Sequence, residues 1–273
     1  MPTSQPWNKR RIVSGHASER IFLSVSALIF AASMATTIVW CISMSAMGEM
    51  PMTGGWTMSM AWMRMPGQTW VGAAVSFLGM WSVMMVAMML PSLIPMLRRY
   101  RQAAGVQGET RIDRLSALVG GGYFFVWFSF GMVVFPLGDA LAAVEMQQPV
   151  LARAVPLAVG MVVLISGAIQ FTAWKTQHLV CCRELPCHFQ MNPTNAGTAW
   201  RYGLRLGFHC ICCCINLNAI LLVIGIMDIR VMAVTTTAIT LERLAPSAGL
   251  VVRTIGAVVV GAGLLLIAQA AGH

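Results

Sequence analysis

Sulfur-bearing side chains repeat at helical spacing in one apolar part of the chain. Two methionine pairs, Met84-Met85 and Met88-Met89, stand four residues apart, and Met80 precedes them by one more turn. Residues four apart share a helix face, so Met80, Met84 and Met88 are predicted to form one stripe. Met85 and Met89 form a second stripe beside it. Thioethers are soft, uncharged ligands that suit Cu(I) and are compatible with lipid, so this helix is a candidate metal site.

Packing alone is the alternative explanation of the stripe, because methionine commonly fills irregular gaps in protein cores. Pro91 and Pro95 follow the methionines directly. A proline inside a helix frees the carbonyl four residues before it and bends the axis. A bend beside a row of ligands would give an ion a place to rest or pass.

A second set of metal-binding side chains is concentrated in 37 residues, which hold seven of the eight cysteines and three of the five histidines. His178 and Cys182 are four apart and would share a helix face, as would Cys210 with Cys213 or Cys214. Clustered thiols in a reducing compartment indicate metal or redox chemistry and not disulfides. Further candidates in this cluster are Cys181, Cys187, His188, His209 and Cys212.

The ligand types leave the metal open between copper and zinc. Cysteine and histidine together also bind Zn(II), whereas the nearby methionines favour Cu(I). Each thiol taken alone could be a buried apolar cysteine. Their number within so short a stretch favours a metal site.

Methionines also crowd the segment between the first two apolar runs. Methionine is unusual in an exposed loop, which gains little from apolar thioethers. One interpretation is a loop in the lipid headgroup zone with tryptophan anchors; the other is capture of Cu(I) where thiols would oxidise. The residues are Met44, Met47, Met50, Met52, Met58, Met60, Met63 and Met65, interleaved with Trp56, Trp62 and Trp70.

Long apolar runs decide the fold class, because 58% of the residues are hydrophobic and only 10% are charged. Soluble domains have about 25% charged residues. We predict an all-α, polytopic transmembrane helical bundle, with six spans favoured at 21–44, 69–97, 115–138, 155–174, 204–227 and 248–270. Residues 228–246 are too short and polar for an easy span. They form an outer-face amphipathic helix if there are six spans, or a short or broken helix if there are seven.

The distribution of basic residues sets the predicted topology. Residues 1–20 form a basic arm, and residues 21–273 are expected to form a single transmembrane domain. The first span exceeds the roughly 7–15 apolar residues of a signal peptide, so we expect it to be retained. Loops near 98–114 and 175–205 are also basic, which places them and the N-terminus in the cytoplasm. The net charge of +9 therefore reflects lipid contact and topology, and no nucleic-acid partner is expected.

Missing groups exclude several function classes. No Asp or Glu lies deep in a confident span, which disfavours a carboxylate proton relay. No phosphate-binding loop is present, which argues against an ATP-hydrolysing pump. No catalytic residue is assigned, and a non-enzymatic role is favoured.

Several motifs together resemble a bacterial family of predicted metal-binding integral membrane proteins of unknown function. The similarity covers about residues 75–265, including a Met-Met-x-Ala-Met-Met-x-Pro-Ser motif at 84–92. In that family a cysteine is usual at His178, a glycine at Cys212 and a tryptophan at Ile215. The resemblance implies metal binding, and it fits a multi-pass protein of the bacterial inner membrane. The other matching residues are Tyr123, Trp127, Gly131, Gln170, Phe171, Thr172, Lys175, Cys182, Arg183, Gly207, Cys210, Cys213, Cys214, Leu241, Glu242, Arg243, Pro246, Arg253 and Gly256.

The leading hypothesis is a Cu(I)-binding membrane protein that transports copper or hands it to a cuproprotein or metallochaperone. External methionines would collect the ion, the stripe would pass it inward, and the Cys/His cluster would receive it. Eukaryotic copper transporters combine the same ligand types, which is an analogy of chemistry only. The alternatives are a membrane metalloenzyme with a redox metal at the Cys/His cluster and a structural membrane subunit. Zinc stays the second metal, and an oligomer stays open.

Overall fold

The computed structural model describes residues 6–46, 48, 50–52, 56–59, 62, 67–104, 109–183 and 195–272. Eight helices lie in these residues. The segment between the first two helices contains a two-stranded antiparallel ribbon of β1 (Met50–Pro51) and β2 (Thr57–Met58). The helices are α1 (Pro6–Ala46), α2 (Trp70–Ala104), α3 (Glu109–Gln147), α4 (Pro149–Ile169), α5 (Ala173–Arg183), α6 (Ala196–Ile224), α7 (Ile229–Leu244) and α8 (Ala248–Ala271).

Six of the helices, α1, α2, α3, α4, α6 and α8, are long and apolar enough to cross a membrane. The predicted helical membrane bundle with six such spans is therefore confirmed. Large apolar side chains cover its outside, including Leu28 of α1, 69% exposed, and Leu265 of α8, 66% exposed. Such faces suit contact with lipid chains. Which end of the bundle faces the cytoplasm remains a prediction.

The predicted fourth span, 155–174, is divided in two by a turn. α4 ends at Ile169, where the backbone N–H of Gln170 bonds to the carbonyl of Gly167 at 3.2 Å. α5 then begins at Ala173, and the Thr172 hydroxyl accepts from the N–H of Lys175 at 3.3 Å. This hydroxyl caps the first turn of α5. The turn redirects α5 so that it packs against α6.

Glycines set the close pairings of the long helices. A Cβ at Gly263 of α8 would lie 2.6 Å from the backbone nitrogen of Leu164, and one at Gly207 of α6 would lie 2.8 Å from the carbonyl oxygen of Tyr123. Only a residue without a side chain allows these backbones to approach so closely. α8 thus packs tightly on α4, and α6 on α3.

α7 packs one face against the bundle, beside α2, and it is too short and polar to count among the six spans. Asp228 caps its start by accepting from the N–H groups of Arg230 and Val231. Near this end Met232 contacts Cys41, and at the other end Arg243 bonds to Ser92 of α2. These contacts place one face of α7 against the bundle. Whether residues 228–246 are an outer-face amphipathic helix, as expected with six spans, or a short or broken helix, as expected with seven, remains a prediction.

Candidate metal centre

Three buried thiols form a row of contacts with Cys213 in the middle. The Cys182 sulfur lies 3.6 Å from that of Cys213, which lies 3.4 Å from that of Cys214. All three residues are buried, with at most 3% exposed. Sulfur atoms that bind one ion at about 2.3 Å, as in zinc thiolates, lie within about 4.6 Å of each other. Each of the two contacting pairs is within this limit.

The thiols are packed against one another. Within the described residues, no group of three or more His, Cys, Asp or Glu side chains is arranged so that it could hold a metal ion. Zn(II) takes four ligands in a closed tetrahedron, whereas soft thiol and thioether ligands suit Cu(I).

Helical spacing explains how the thiols converge. Cys210, Cys213 and Cys214 are three and four residues apart, so they lie on one face of α6. Cys182 comes from the last turn of α5, which packs against that face. The phenol oxygen of Tyr123 in α3 lies 2.9 Å from the Cys210 sulfur, which ties a third helix to the cluster.

The cluster lies farther along its helix than the predicted span suggests. The predicted fifth span starts at residue 204, which puts these cysteines near its start. α6 begins at Ala196, so at about 1.5 Å per residue Cys210 lies roughly 21 Å along the helix. The cysteine side chains are buried between the helices at this level.

The histidines form a separate pair beside the thiols. The Nδ1 atoms of His178 in α5 and His209 in α6 are 3.2 Å apart, and both residues are half-buried. Cys181 and Cys212 are also half-buried. Cys187 and His188 lie outside the described residues. The structure thus brings Cys182, Cys210, Cys213 and Cys214 together and groups the two histidines with each other.

The methionine stripes face the protein interior on both sides of α2. The exposed fraction is at most 2% for Met84, Met85, Met88 and Met89, and 9% for Met80. These methionines and the thiols of α6 belong to one continuous buried cluster. The two sulfur-rich regions recognised in the sequence therefore lie in the same core. α2 continues without a break through Pro91 and Pro95.

The described part of the methionine-rich loop packs on the bundle. Met58 is 3% exposed, the Trp56 indole N–H donates to the carbonyl of Ala152 at 2.8 Å, and the Trp62 ring lies 5.4 Å from that of Phe77. Four loop methionines lie outside the described residues: Met47, Met60, Met63 and Met65.

A buried ion pair supports the thiol cluster and was not recognised from the sequence. The Lys175 Nζ lies 2.7 Å from a carboxylate oxygen of Glu242, and the two side chains are 0% and 1% exposed. Lys175 also donates to the carbonyl of Cys213 at 2.5 Å, and Gln170 donates to Glu242 at 2.8 Å. The pair joins α5 and α7 to the turn of α6 that carries the thiols. The resemblance already singled out Gln170, Lys175 and Glu242, but their joint role requires α7 to lie in the bundle.

A buried guanidinium faces the thiols. Arg243 donates to the hydroxyl of Ser92 at 2.8 Å, and a second nitrogen of its guanidinium lies 3.9 Å from the Cys213 sulfur. Its Nε is buried and has no hydrogen-bond partner among the described residues. A positive charge at this distance stabilises a thiolate over a thiol.

Comparison with known proteins provides one match. A family model described as PpoB2, copper chaperone, matches residues 78–266. The match covers more than two thirds of the chain, including the methionine stripes, the thiol cluster and Arg243. It agrees with the predicted metal-related family and specifies copper. No curated protein and no solved structure matches the chain.

Replacing Lys175 with methionine is expected to destabilise the protein by about 3–5 kcal/mol, because Glu242 would keep a buried charge without its partner. Adding Glu242→Gln should recover part of this loss. Unfolding of purified protein in detergent, followed by circular dichroism, measures both effects.

Arg98→Met is the matched control, since the Arg98–Glu19 pair is 46% and 37% exposed. Exposed pairs contribute about 0–1 kcal/mol. Equal losses for Lys175→Met and Arg98→Met would contradict the supporting role of the buried pair.

Proposed function

The chain belongs to the PpoB2 family of copper chaperones, and from this premise we propose that it binds Cu(I) within the membrane and hands it to a partner cuproprotein. The ion would be held by Cys182, Cys213 and Cys214, with Cys210 as a further ligand. The observation that carries the proposal is the contact of three buried sulfur atoms at 3.4–3.6 Å. Because copper is the cargo, the site must release the ion as well as bind it.

The charges around the site suit an anionic metal–thiolate group. Lys175 and Glu242 neutralise each other, so Arg243 is the buried charge left facing the sulfurs. Two thiolates, one Cu(I) ion and one guanidinium sum to zero, as do three thiolates, one Zn(II) ion and one guanidinium, so the choice of copper rests on the family and on the soft ligands. Burying an uncompensated charge is costly. The unpartnered Nε of Arg243 is consistent with a site that is complete only when an anionic copper–thiolate group is present.

The ligands are graded in strength along α2 and α6. Met84, Met85, Met88 and Met89 present neutral thioethers in the same buried cluster as the thiols. Thiolates bind Cu(I) more strongly than thioethers do, so an ion that reaches the methionines would move on to the cysteines. The methionines would then form an approach to the site, and the thiols the place where copper is held for delivery.

Metal content tests this proposal directly. Protein purified after copper loading should carry copper as isolated. The double variant Cys182→Ala/Cys213→Ala should lose most of this copper, because it removes both sulfur atoms of the contact between α5 and α6. Elemental analysis of both samples for copper and zinc provides the readout.

The matched control is Cys181→Ala/Cys212→Ala, which removes two half-buried thiols next to the cluster in sequence. This control should keep its copper. Equal copper in all three proteins would remove the proposed site, and zinc in place of copper would contradict the assignment of the metal.

Neutralising the buried guanidinium should weaken copper binding. Arg243→Gln is expected to reduce Cu(I) affinity by about tenfold or more, which corresponds to about 1.4 kcal/mol, because the copper–thiolate group loses its counter-charge. Competition with a Cu(I) chelator of known affinity measures the change.

Arg243→Lys keeps the charge and should recover most of the affinity. Ser92→Ala removes the hydrogen bond from Arg243 and the one to the carbonyl of Met89 but keeps the charge, so it should change affinity little. The same affinity in Arg243→Gln as in the parent would show that the charge does not act on the site.

A further inference from the structure

A second group of sulfur atoms lies in the described part of the bundle, away from the thiol cluster. The Cys41 sulfur of α1 is 3.9 Å from the Met232 sulfur of α7, although the residues are 191 positions apart in sequence. Both are buried, at 3% and 6% exposure. Since this separation is below the limit of about 4.6 Å for two sulfurs on one ion, the pair can share a metal ion.

Three more thioethers line the same crevice. Met80 and Met84 reach it from α2, and Met227 reaches it from the segment between α6 and α7. The crevice encloses about 180 Å³, counting its open side, and it is too narrow to admit a water-sized sphere. Its remaining lining residues are Thr37 and Trp40.

The chemistry of this crevice selects a soft, weakly hydrated ion. Cations such as Mg²⁺ and Ca²⁺ need several oxygen ligands, and losing their bound water without such ligands costs free energy. The crevice offers one thiol and four thioethers, which are the donors that select Cu(I) among the biological metals. A narrow apolar slot also disfavours any ion that must retain its water shell.

α7 connects this crevice to the thiol cluster. Met232 stands near its start, and Arg243, eleven residues later, contacts Cys213, so the two places are about 16 Å apart along the helix. Met84 and Met88 of α2 run in the same direction, toward Ser92 and Arg243. These methionines belong to the same buried cluster as both groups of sulfur atoms.

We propose that Cys41, Met80, Met84, Met227 and Met232 form a second Cu(I) site, which receives the ion before the thiol cluster does. This inference rests on the proposed copper-handling function and deepens it. The region matched by the family model begins at residue 78, so Cys41 is a ligand that the family match does not cover.

Transfer between the sites is a ligand exchange in which copper stays Cu(I). Cys41 gives up its proton when the ion binds and takes up a proton when the ion leaves. Cys182 and Cys213 release two protons as they accept the ion: one balances the proton that Cys41 takes up, and the other passes to solvent. The thioethers change neither charge nor protonation, so they can pass the ion without further proton transfer.

Silver binding tests the second site, because Ag(I) has the ligand preferences of Cu(I) and does not change oxidation state. In the full-length Cys182→Ala/Cys213→Ala protein, Ag(I) should still bind. Adding Cys41→Ser/Met232→Leu should then remove about one equivalent per chain, as expected for a site of soft donors. Met132→Leu, at a methionine that is 55% exposed on α3, is the control and should change nothing.

The two proposals fail in different ways. Loss of all Ag(I) binding in Cys182→Ala/Cys213→Ala would overturn the second site and leave the thiol site standing. No Ag(I) or Cu(I) binding by the parent protein would overturn both.

A second measurement does not depend on how well the combined variant folds. Methionine-methyl NMR of the Cys182→Ala/Cys213→Ala protein should show the Met232 and Met80 signals shifting on addition of Ag(I), with Met132 unchanged. The single variant Met232→Leu assigns its signal. Signals of Met232 and Met80 that do not respond to Ag(I) would overturn the proposal.

Discussion

A buried lysine–glutamate pair holds together the helices on which the sulfur site is built. Lys175 of α5 lies 2.7 Å from Glu242 of α7 and donates to the carbonyl of Cys213 in α6. An apolar interior penalises each of these charges alone by several kcal/mol, so neither helix can take its place without the other. Gln170 adds a hydrogen bond to the carboxylate. This pairing holds α5 and α7 against α6, and it thereby places Cys182 and Arg243 beside Cys213.

The two buried positive charges near the thiols have different partners. Lys175 is compensated by Glu242, whereas Arg243 faces the sulfur of Cys213 with a buried Nε that lacks a partner among the described residues. Under the proposed function, Arg243 is a counter-charge that is in place for an anionic metal–thiolate group before the metal arrives. Preorganised charge of this kind reduces the cost of binding, because little has to rearrange when the ion enters. At the other end of α7, Met232 and Cys41 offer softer, mostly neutral donors. α7 thus carries one group of each proposed site, with Met232 near its start and Arg243 near its end.

Much of the architecture could be predicted from local sequence. Six apolar runs specified six long helices, and spacings of three and four residues placed Cys210, Cys213 and Cys214 on one face. Composition could not place α7. Its buried Glu242 is tolerated because it pairs with Lys175, which lies 67 residues earlier in the sequence. The contact of Cys41 with Met232 likewise depends on tertiary packing across 191 positions. α6 begins eight residues before the predicted span, so the thiols lie farther along this helix than predicted.

X-ray absorption spectroscopy of the copper-loaded protein tests the central claim most directly, because it reports the oxidation state of the ion and the element of each nearest neighbour. Binding by buried thiols predicts a Cu(I) edge and sulfur atoms alone as the nearest neighbours. The sulfur signal should be strongly reduced in Cys182→Ala/Cys213→Ala. A spectrum dominated by nitrogen or oxygen neighbours would move the copper to the His178–His209 pair or to the surface, and it would contradict the account.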